Sequence, residues 1–242
     1  MKIVVSESNT PTFNLAVEEY LFSRKEEDFL LLYRNEPSVI IGSNQAVLNE
    51  VDPDFCIEND IRIIRRLSGG GAVYHDLGNF NYSFIQGKSE APLSPRFLDP
   101  VVKALHAIGI PVEIRKRKDL WIGESKVSGT ASHLSGGREL HHGTLLYNTD
   151  LHMLKRALRA ENRNLIARAT ASVVSPVCNI RDYLQKKVGV APETEPFFQQ
   201  WIDELALLLR VHEVNTFNDE EVTSIEVLQK EKYSRREWNY RK

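Results

Sequence analysis

Apolar positions recur along this chain in two rhythms, and the switches between them predict its elements. Thr10 and Pro11 supply the cap and first turn of a helix that carries Phe13, Val17, Tyr20 and Leu21 on one face. Two short apolar runs follow, Phe29 to Tyr33 and Ser38 to Ile41, of strand length and without helical spacing. Asp52-Pro53 opens a short helix through Phe55 and Ile57, and Ile61 to Ile64 reads as a strand feeding the segment Ser68-Gly69-Gly70-Gly71. Beyond it, Phe80, Tyr82 and Phe84 alternate with Asn81 and Ser83, the period of a strand.

Asp99-Pro100 starts a second long helix, with Val101, Val102, Leu105 and Ile108 inward and Gly109 as its stop. Strands are expected over Val112 to Arg115, Leu120 to Ile122, Lys126 to Ser132 and Thr144 to Asn148. Asp150 caps a helix carrying Leu151, Leu154 and Leu158. The strongest helical stripe is Phe198, Trp201, Ile202, Leu205, Leu208 and Leu209, and Asn218 with Glu221 forms a capping box ahead of Val222, Ile225 and Leu228. Strands outnumber helices in the middle of the chain, and hairpin-sized gaps separate several of them. The expected class is therefore α/β in the α+β sense: one domain over 1–242, with mixed, largely antiparallel sheets flanked by helices.

Composition narrows the setting. A chain of 242 residues can bury a substantial core, and a formal net charge of -2 creates no global field toward nucleic acid or membrane. The opening Met1-Lys2-Ile3-Val4-Val5-Ser6-Glu7 lacks a long apolar region, and no apolar run approaches the roughly 20 residues of a membrane span. Cys56 and Cys178 stand far apart without C-x-x-C spacing, which argues against a disulfide framework or zinc site and for a reducing, cytoplasmic setting.

Candidate chemistry concentrates at the glycines. Three in a row inside apolar flanks serve close backbone approach or positive φ, and their amides can cradle an anion beside Arg65 and Arg66. The segment lacks the terminal Gly-Lys-Ser/Thr of a Walker loop, and Tyr74 stands where a dinucleotide fingerprint requires glycine. The plain alternative is a flexible hairpin turn beside two solvated arginines. Against it, Tyr74-His75-Asp76, Gly78-Asn79 and Asn81-Tyr82-Ser83 gather many donors and acceptors within one expected hairpin.

The string Arg65-Arg66-Leu67-Ser68-Gly69-Gly70-Gly71-Ala72-Val73-Tyr74-His75-Asp76-Leu77-Gly78-Asn79 resembles the signature of lipoate-protein ligases of the LplA type. Further blocks follow in the family's order. Asn14-Leu15-Ala16-Val17-Glu18-Glu19 resembles its first helix, Gly42-Ser43-Asn44-Gln45 its Gly-Arg-x-Gln turn, and Asp119-Leu120-Trp121 its Asn-Asp-Leu segment. Lys126-Val127-Ser128-Gly129-Thr130-Ala131 resembles its lysine motif, and His141-His142-Gly143-Thr144-Leu145-Leu146, Ser175-Pro176-Val177-Cys178-Asn179-Ile180 and Glu237-Trp238-Asn239-Tyr240 resemble later blocks. Three departures stand out. Ser43 replaces a frequent arginine, Lys118 replaces the usual asparagine, and a single large domain without the accessory C-terminal domain of two-domain members is expected.

The resemblance implies a biotin/lipoate-protein ligase catalytic-domain fold and a two-step reaction: a carboxylate attacks the α-phosphate of ATP, then an acceptor lysine displaces AMP. It puts Lys126 in the catalytic role, because a cation between two anions offsets their repulsion. Arg66, an always-charged fork, is assigned to a phosphate or carboxylate, whereas Arg65 falls on the opposite strand face and is assigned to structure. Lipoate or lipoyl-AMP contacts are expected from Arg66, Ser68, Gly70, Gly71, Ala72, Val73, Tyr74, His75, Asn79, Lys126, Ser128, Gly129, His142 and Thr144. Val73 and Tyr82 are expected to wall the acyl slot. Asp119 with Gly71 to Tyr74 accompanies the nucleotide, and Mg2+ arrives on phosphate oxygens without a dedicated protein cage. His142 is a candidate base for the incoming amine.

Expected acceptors are lipoyl domains of 2-oxoacid dehydrogenase E2 subunits and the glycine-cleavage H protein, with a separately encoded accessory domain as a further partner. The basic positions Arg235, Arg236, Arg241 and Lys242 offer a surface for an acidic acceptor. Two rival readings remain open at this level: an octanoyl or lipoyl transferase using a thiolate of Cys56 or Cys178, and a non-enzymatic lipoate-binding accessory protein. A biotin ligase is disfavoured, since its Gly-Arg-Gly-Arg-x-Gly string is missing.

Overall fold

A computed structural model of the chain describes residues 1–159 and 169–241. Strand β1 (Lys2–Val5) leads through helix α1 (Pro11–Ser23) to β2 (Phe29–Arg34) and β3 (Ser38–Ile41). Pro11 occupies the first turn of α1 and Thr10 is extended at its cap, although the hydroxyl makes no capping bond. Two short helices, α2 (Val47–Glu50) and α3 (Pro53–Glu58), precede β4 (Arg62–Arg65), and Asp52 caps α3 by accepting the Phe55 amide. After the glycine segment come β5 (Val73–His75), β6 (Asn79–Gly87) and α4 (Asp99–Ala107). Small strands β7 (Glu113–Ile114), β8 (Leu120–Ile122) and β9 (Ser125–Ser128) lead to the hairpin of β10 (Thr130–Ser135) and β11 (Arg138–Leu146). The remaining elements named are β12 (Val214–Asn215) and the helices α5 (Leu151–Ala157), α6 (Ile180–Val188), α7 (Thr194–Leu209), α8 (Asp219–Leu228) and α9 (Arg236–Asn239). Among the described residues no helix is long and apolar enough to cross a membrane.

The strands form three sheets. The large one runs β10-β11-β6-β2-β1-β12, antiparallel from β10 to β2 and parallel from β2 to β12. A small sheet has β3 between parallel β4 and antiparallel β5, and β7, β8 and β9 make an antiparallel third. The expected mixed, largely antiparallel architecture is therefore observed. The large sheet is covered on both faces, which is why β2 reads as an unbroken apolar run. Leu30 and Leu32 join Phe80, Tyr82 and Phe84 against α4 and α7, while Leu31 and Tyr33 face α1, Ile40 and Ile64.

Three local expectations are corrected and one helix is added. The strand expected over Lys126 to Ser132 breaks at Gly129, so β9 stays in the third sheet while β10 joins the large one. The strand expected from Thr144 begins at Arg138 instead. Its polar first half disguises it, yet Arg138 is buried with its guanidinium on the carbonyls of Lys25 and Glu27, and Glu139 accepts from Gln86. Helix α6, ending at Gly189 with φ 85°, is absent from the sequence reading. Finally, β5 and β6 are not a hairpin: they lie in different sheets, because Asp76 turns the chain by accepting from the Gly78 and Asp150 amides. The capping box of Asn218 and Glu221 forms as expected.

Arg65 is structural in a strong sense. Its side chain has no exposure, and its guanidinium donates to the carbonyls of Gly42 (2.8 Å), Gln45 (2.7 Å), Trp238 (3.2 Å), Asn239 (3.1 Å) and Arg241 (2.9 Å). It thereby ties α9 to the turn after β3. Arg65→Ala should lower unfolding stability by roughly 3 kcal/mol or more, because several buried carbonyls lose their donor at once. Arg65→Lys should recover little of that loss, since three ammonium donors cannot replace a planar fork. Urea denaturation, with hydrogen exchange read across 236–239, measures both effects.

Candidate active site

The order β4-β3-β5 settles what the glycine segment is. Strand β3 lies between the strands that flank the loop, so 66–72 crosses over the end of β3 and is not a hairpin turn. The crossing is tight. A Cβ on Gly42, just past β3, would stand 2.3 Å from the Gly70 carbonyl oxygen, and Gly70 itself has φ 89°. Arg66 fills the inside of the loop. Its Nε donates to Ser68 Oγ (2.9 Å), Nη1 to the Ile40 carbonyl (3.0 Å), and Nη2 to the carbonyls of Gly69 (2.6 Å) and Gly71 (2.8 Å). The fork is thus largely engaged by the loop. Burial pulls this guanidinium down to about 10, which still leaves it a cation at neutral pH.

A second segment clamps the loop from outside. Ser172 Oγ accepts from the Ala72 amide (2.8 Å) and from Gln45 Nε2 (3.0 Å), while its own amide reaches both Glu50 carboxylate oxygens at 3.2 Å. Sequence reading missed Ser172 and Glu50. No local pattern marks either one, and only the approach of 169–177 to the loop reveals them.

Between loop and sheet lies a two-lobed cavity. The inner lobe runs from Gly70, Gly71 and Val73 past Arg66 and His75 to the apolar Leu15, Tyr33 and Ile40. The outer lobe is walled by Tyr74, Leu146, Leu154, Leu158 and 172–177. Lys126, Gly129, Thr144, Ala72 and Val73 line both lobes and mark their junction. Lys126 arrives there because the chain changes sheets at Gly129, whose amide and carbonyl are both held by Thr144. Its ammonium lies 3.4 Å from Asp119 Oδ1, and a Cβ on Gly129 would crowd it at 3.1 Å.

Behind the inner lobe runs a chain of buried hydrogen bonds. His142 Nε2 meets Ser68 Oγ at 2.7 Å, His142 Nδ1 meets Glu18 Oε1 at 2.7 Å, and Ser83 Oγ donates to that same carboxylate at 2.6 Å. Burial alone pushes the Glu18 carboxyl up. The charge and hydrogen bond of His142, the Ser83 hydroxyl and the charge of Arg66 outweigh it and hold Glu18 below the ordinary carboxylate range. His142 is therefore oriented through both ring nitrogens. His75 accepts from the Asn35 amide at Nδ1 (2.9 Å), which leaves the proton on Nε2, a buried donor without a partner among the described residues, in a side chain that lines the cavity.

The structure brings Arg66, Gly70, Gly71, Ala72, Val73, Tyr74, His75, Asp119, Lys126, Ser128, Gly129, His142 and Thr144 to the cavity wall. Ser68 and Asn79 do not line it. Ser68 has no exposure and holds His142, and the Asn79 amide donates to Asn81. Tyr82 is no wall of the slot either, since its ring sits in the main core with its hydroxyl 3.2 Å from Ser128 Oγ. The two thiols are distant in kind from nucleophiles: Cys56 is buried in the core behind β3 and pushed up to about 12, and half-buried Cys178 is also raised by burial. Lys242 lies outside the described residues.

The cavity has apolar ends and a charged junction, on three sheets wrapped by helices. The family model of the lipoyl protein ligase A/B catalytic domain matches residues 10–204, and the chain belongs to that family. Lipoate-protein ligase LplJ of Bacillus subtilis is 36% identical over 239 residues, covering 96% of this chain and 71% of its own length. Among solved structures, a bi-partite lipoate protein ligase described with its E2 lipoyl domain, from Thermoplasma acidophilum, superposes with a TM-score of 0.82 at 29% identity, over 99% of this chain and 95% of that one. A lipoate-protein ligase A with ATP bound gives a TM-score of 0.81 at 28% identity, over 99% and 98%.

His75 makes stability pH-dependent. Burial, aided by the charges of Arg66 and His142, lowers its pKa from the ordinary 6.5 to about 3. Above pH 6.5 the ring is neutral in both folded and unfolded chains. Below that the unfolded ring takes a proton that the folded ring refuses, so stability falls as pH drops toward 3. Denaturation at pH 7 and pH 4.5 should show a loss of roughly 2 kcal/mol or more that His75→Gln removes. Equal losses in both proteins would refute the assignment.

Proposed function

We propose that this chain is a lipoate-protein ligase: it activates lipoate with ATP to lipoyl-AMP and transfers the lipoyl group to a lysine of a lipoyl-domain protein. The observation that carries this reading is Lys126, held at the junction of two lobes with different linings. The inner lobe, ending on Leu15, Tyr33 and Ile40, suits an apolar acyl chain, with the buried His75 Nε2–H as a donor for the ligand. The outer lobe, with Leu154, Leu158 and Val174 beside backbone of 172–177, suits the adenosine half. The carboxylate of one ligand and the α-phosphate of the other then meet at Lys126, whose ammonium offsets the repulsion between them. Asp119, 3.4 Å away, steers that ammonium and limits where it can point.

Arg66 holds the loop in shape, and its charge is balanced by Glu18 nearby. His142, fixed by Glu18 and Ser68, orders the inner lobe, and the incoming lysine amine would shed its proton near the junction. Among the described residues no cluster of three or more His, Cys, Asp or Glu side chains could hold a metal. A Mg2+ ion would enter as a companion of the triphosphate, with Asp119 the carboxylate at the junction that would hold it. We treat 1–242 as one catalytic domain. Acceptors are E2 lipoyl domains and, on the same chemistry, the glycine-cleavage H protein, with a separate accessory chain as a component to add in assay. The reaction draws on ATP, which with two free thiols fits a cytoplasmic location.

Lipoate-dependent ATP–pyrophosphate exchange by the purified chain, with and without an accessory protein, tests the reading. Lys126→Ala should reduce exchange by about a hundredfold or more, as for other removed charge stabilisers; unchanged exchange would sink the site. Chains carrying Cys56→Ser or Cys178→Ser should retain both exchange and transfer. Loss of transfer in either would favour a thiolate acyltransferase instead.

A further inference from the structure

The arginine and lysine side chains of the inner lobe face carboxylates, with one exception: Arg66 is matched by Glu18 and Lys126 by Asp119. Arg117 also lines the inner lobe, yet among the described residues it has no hydrogen-bonding or ion-pair partner. It sits in the turn between β7 and β8, where four basic residues follow one another from Arg115 to Lys118.

Its neighbours are committed elsewhere. Arg115 stacks over Trp121 at 4.3 Å and donates to the Gly123 carbonyl at 2.6 Å, and Lys118 donates to the Leu93 carbonyl. Lys116 does not line the cavity. The turn itself is closed: the Lys118 amide donates to the Arg115 carbonyl (2.8 Å), the Arg115 amide to that of Asp119 (2.9 Å), and Thr130 Oγ1 to that of Lys118 (3.1 Å). A held turn thus carries an unspent guanidinium two residues from Asp119, at the wall of the cavity that contains Lys126.

We infer that Arg117 binds the β- and γ-phosphates of ATP and the pyrophosphate that leaves. This rests on the ligase reading above. In the activation step a carboxylate oxygen of lipoate forms a bond to the α-phosphorus. The bond from that phosphorus to the bridging oxygen breaks, and its electron pair departs with pyrophosphate. Four negative charges on ATP and one on the carboxylate enter a cavity whose Arg66 and Lys126 already face carboxylates, and the charge that grows on the leaving group needs a partner. A planar guanidinium serves adjacent phosphate oxygens with two parallel donors. Once pyrophosphate has gone, Arg117 has no role in the transfer step.

The two half-reactions separate the possibilities. Arg117→Ala should lower kcat/KM for ATP in lipoate-dependent exchange by roughly ten- to a hundredfold, the size of a lost charged hydrogen bond. It should also weaken inhibition by inorganic pyrophosphate, and Arg117→Lys should restore part of both. Transfer from synthetic lipoyl-AMP to a lipoyl domain, measured with the same protein, should change far less. Comparable losses in the two half-reactions would overturn the inference and make the turn a docking surface for the acceptor. So would undiminished exchange in Arg117→Ala. A native chain that performs neither half-reaction, with or without an accessory protein, would sink the ligase reading and this inference together, whereas an active native chain with an indifferent Arg117 would sink only the latter.

Discussion

Two consecutive buried arginines at the end of β4 are the constraint from which the rest follows. A strand sends neighbouring side chains to opposite faces, so Arg65 and Arg66 reach two different sets of carbonyls. Arg65 gathers those of the turn after β3 and of the last helix, and Arg66 gathers those of Ile40, Gly69 and Gly71. Several of these carbonyls are buried, and a planar fork is the side chain that can satisfy several at once. One arginine therefore anchors the chain's end to the small sheet. The other gives a run of three glycines, with almost no steric preference of its own, a single conformation.

That arrangement explains why the cavity is charged yet affordable to fold. Its buried and half-buried cations stand next to carboxylates, Arg66 near Glu18 and Lys126 beside Asp119. An isolated charge at such depth would be costly, whereas a paired one is tolerable when its hydrogen bonds are complete. The pairing also orients: His142 is gripped at both nitrogens and Lys126 is steered by Asp119. The cavity wall is thus set before any ligand arrives, the condition under which electrostatic stabilisation costs least reorganisation.

Much of this was legible in the chain itself, and the parts that were not share a cause. Elements with strong local signals came through: α1 with Pro11, α3 with Asp52, α8 with its capping box, and the period-two strand around Phe80, Tyr82 and Phe84. The start of β11 did not, because Arg138, Glu139, His141 and His142 look exposed and are buried by partners far away in sequence. Ser172, Glu50 and Glu18 were invisible as site residues for the same reason. Their significance lies in what they touch, across separations of more than sixty residues.

The sequence alone determined which residue types meet: a glycine run after two arginines, a lysine before a serine-glycine pair, and a histidine ahead of glycine and threonine. It also determined the local elements that carry them, because caps, glycines and apolar periodicity act within a few residues. Only the tertiary structure decided what those residues do. It spent Arg66 on its own loop, hid Ser68 and Tyr82 behind the wall, broke one expected strand at Gly129 to deliver Lys126 to the junction, and left Arg117 without a partner among the described residues at the same cavity. Satisfaction of buried donors and charges is a property of the whole packed chain, and no window of sequence contains it.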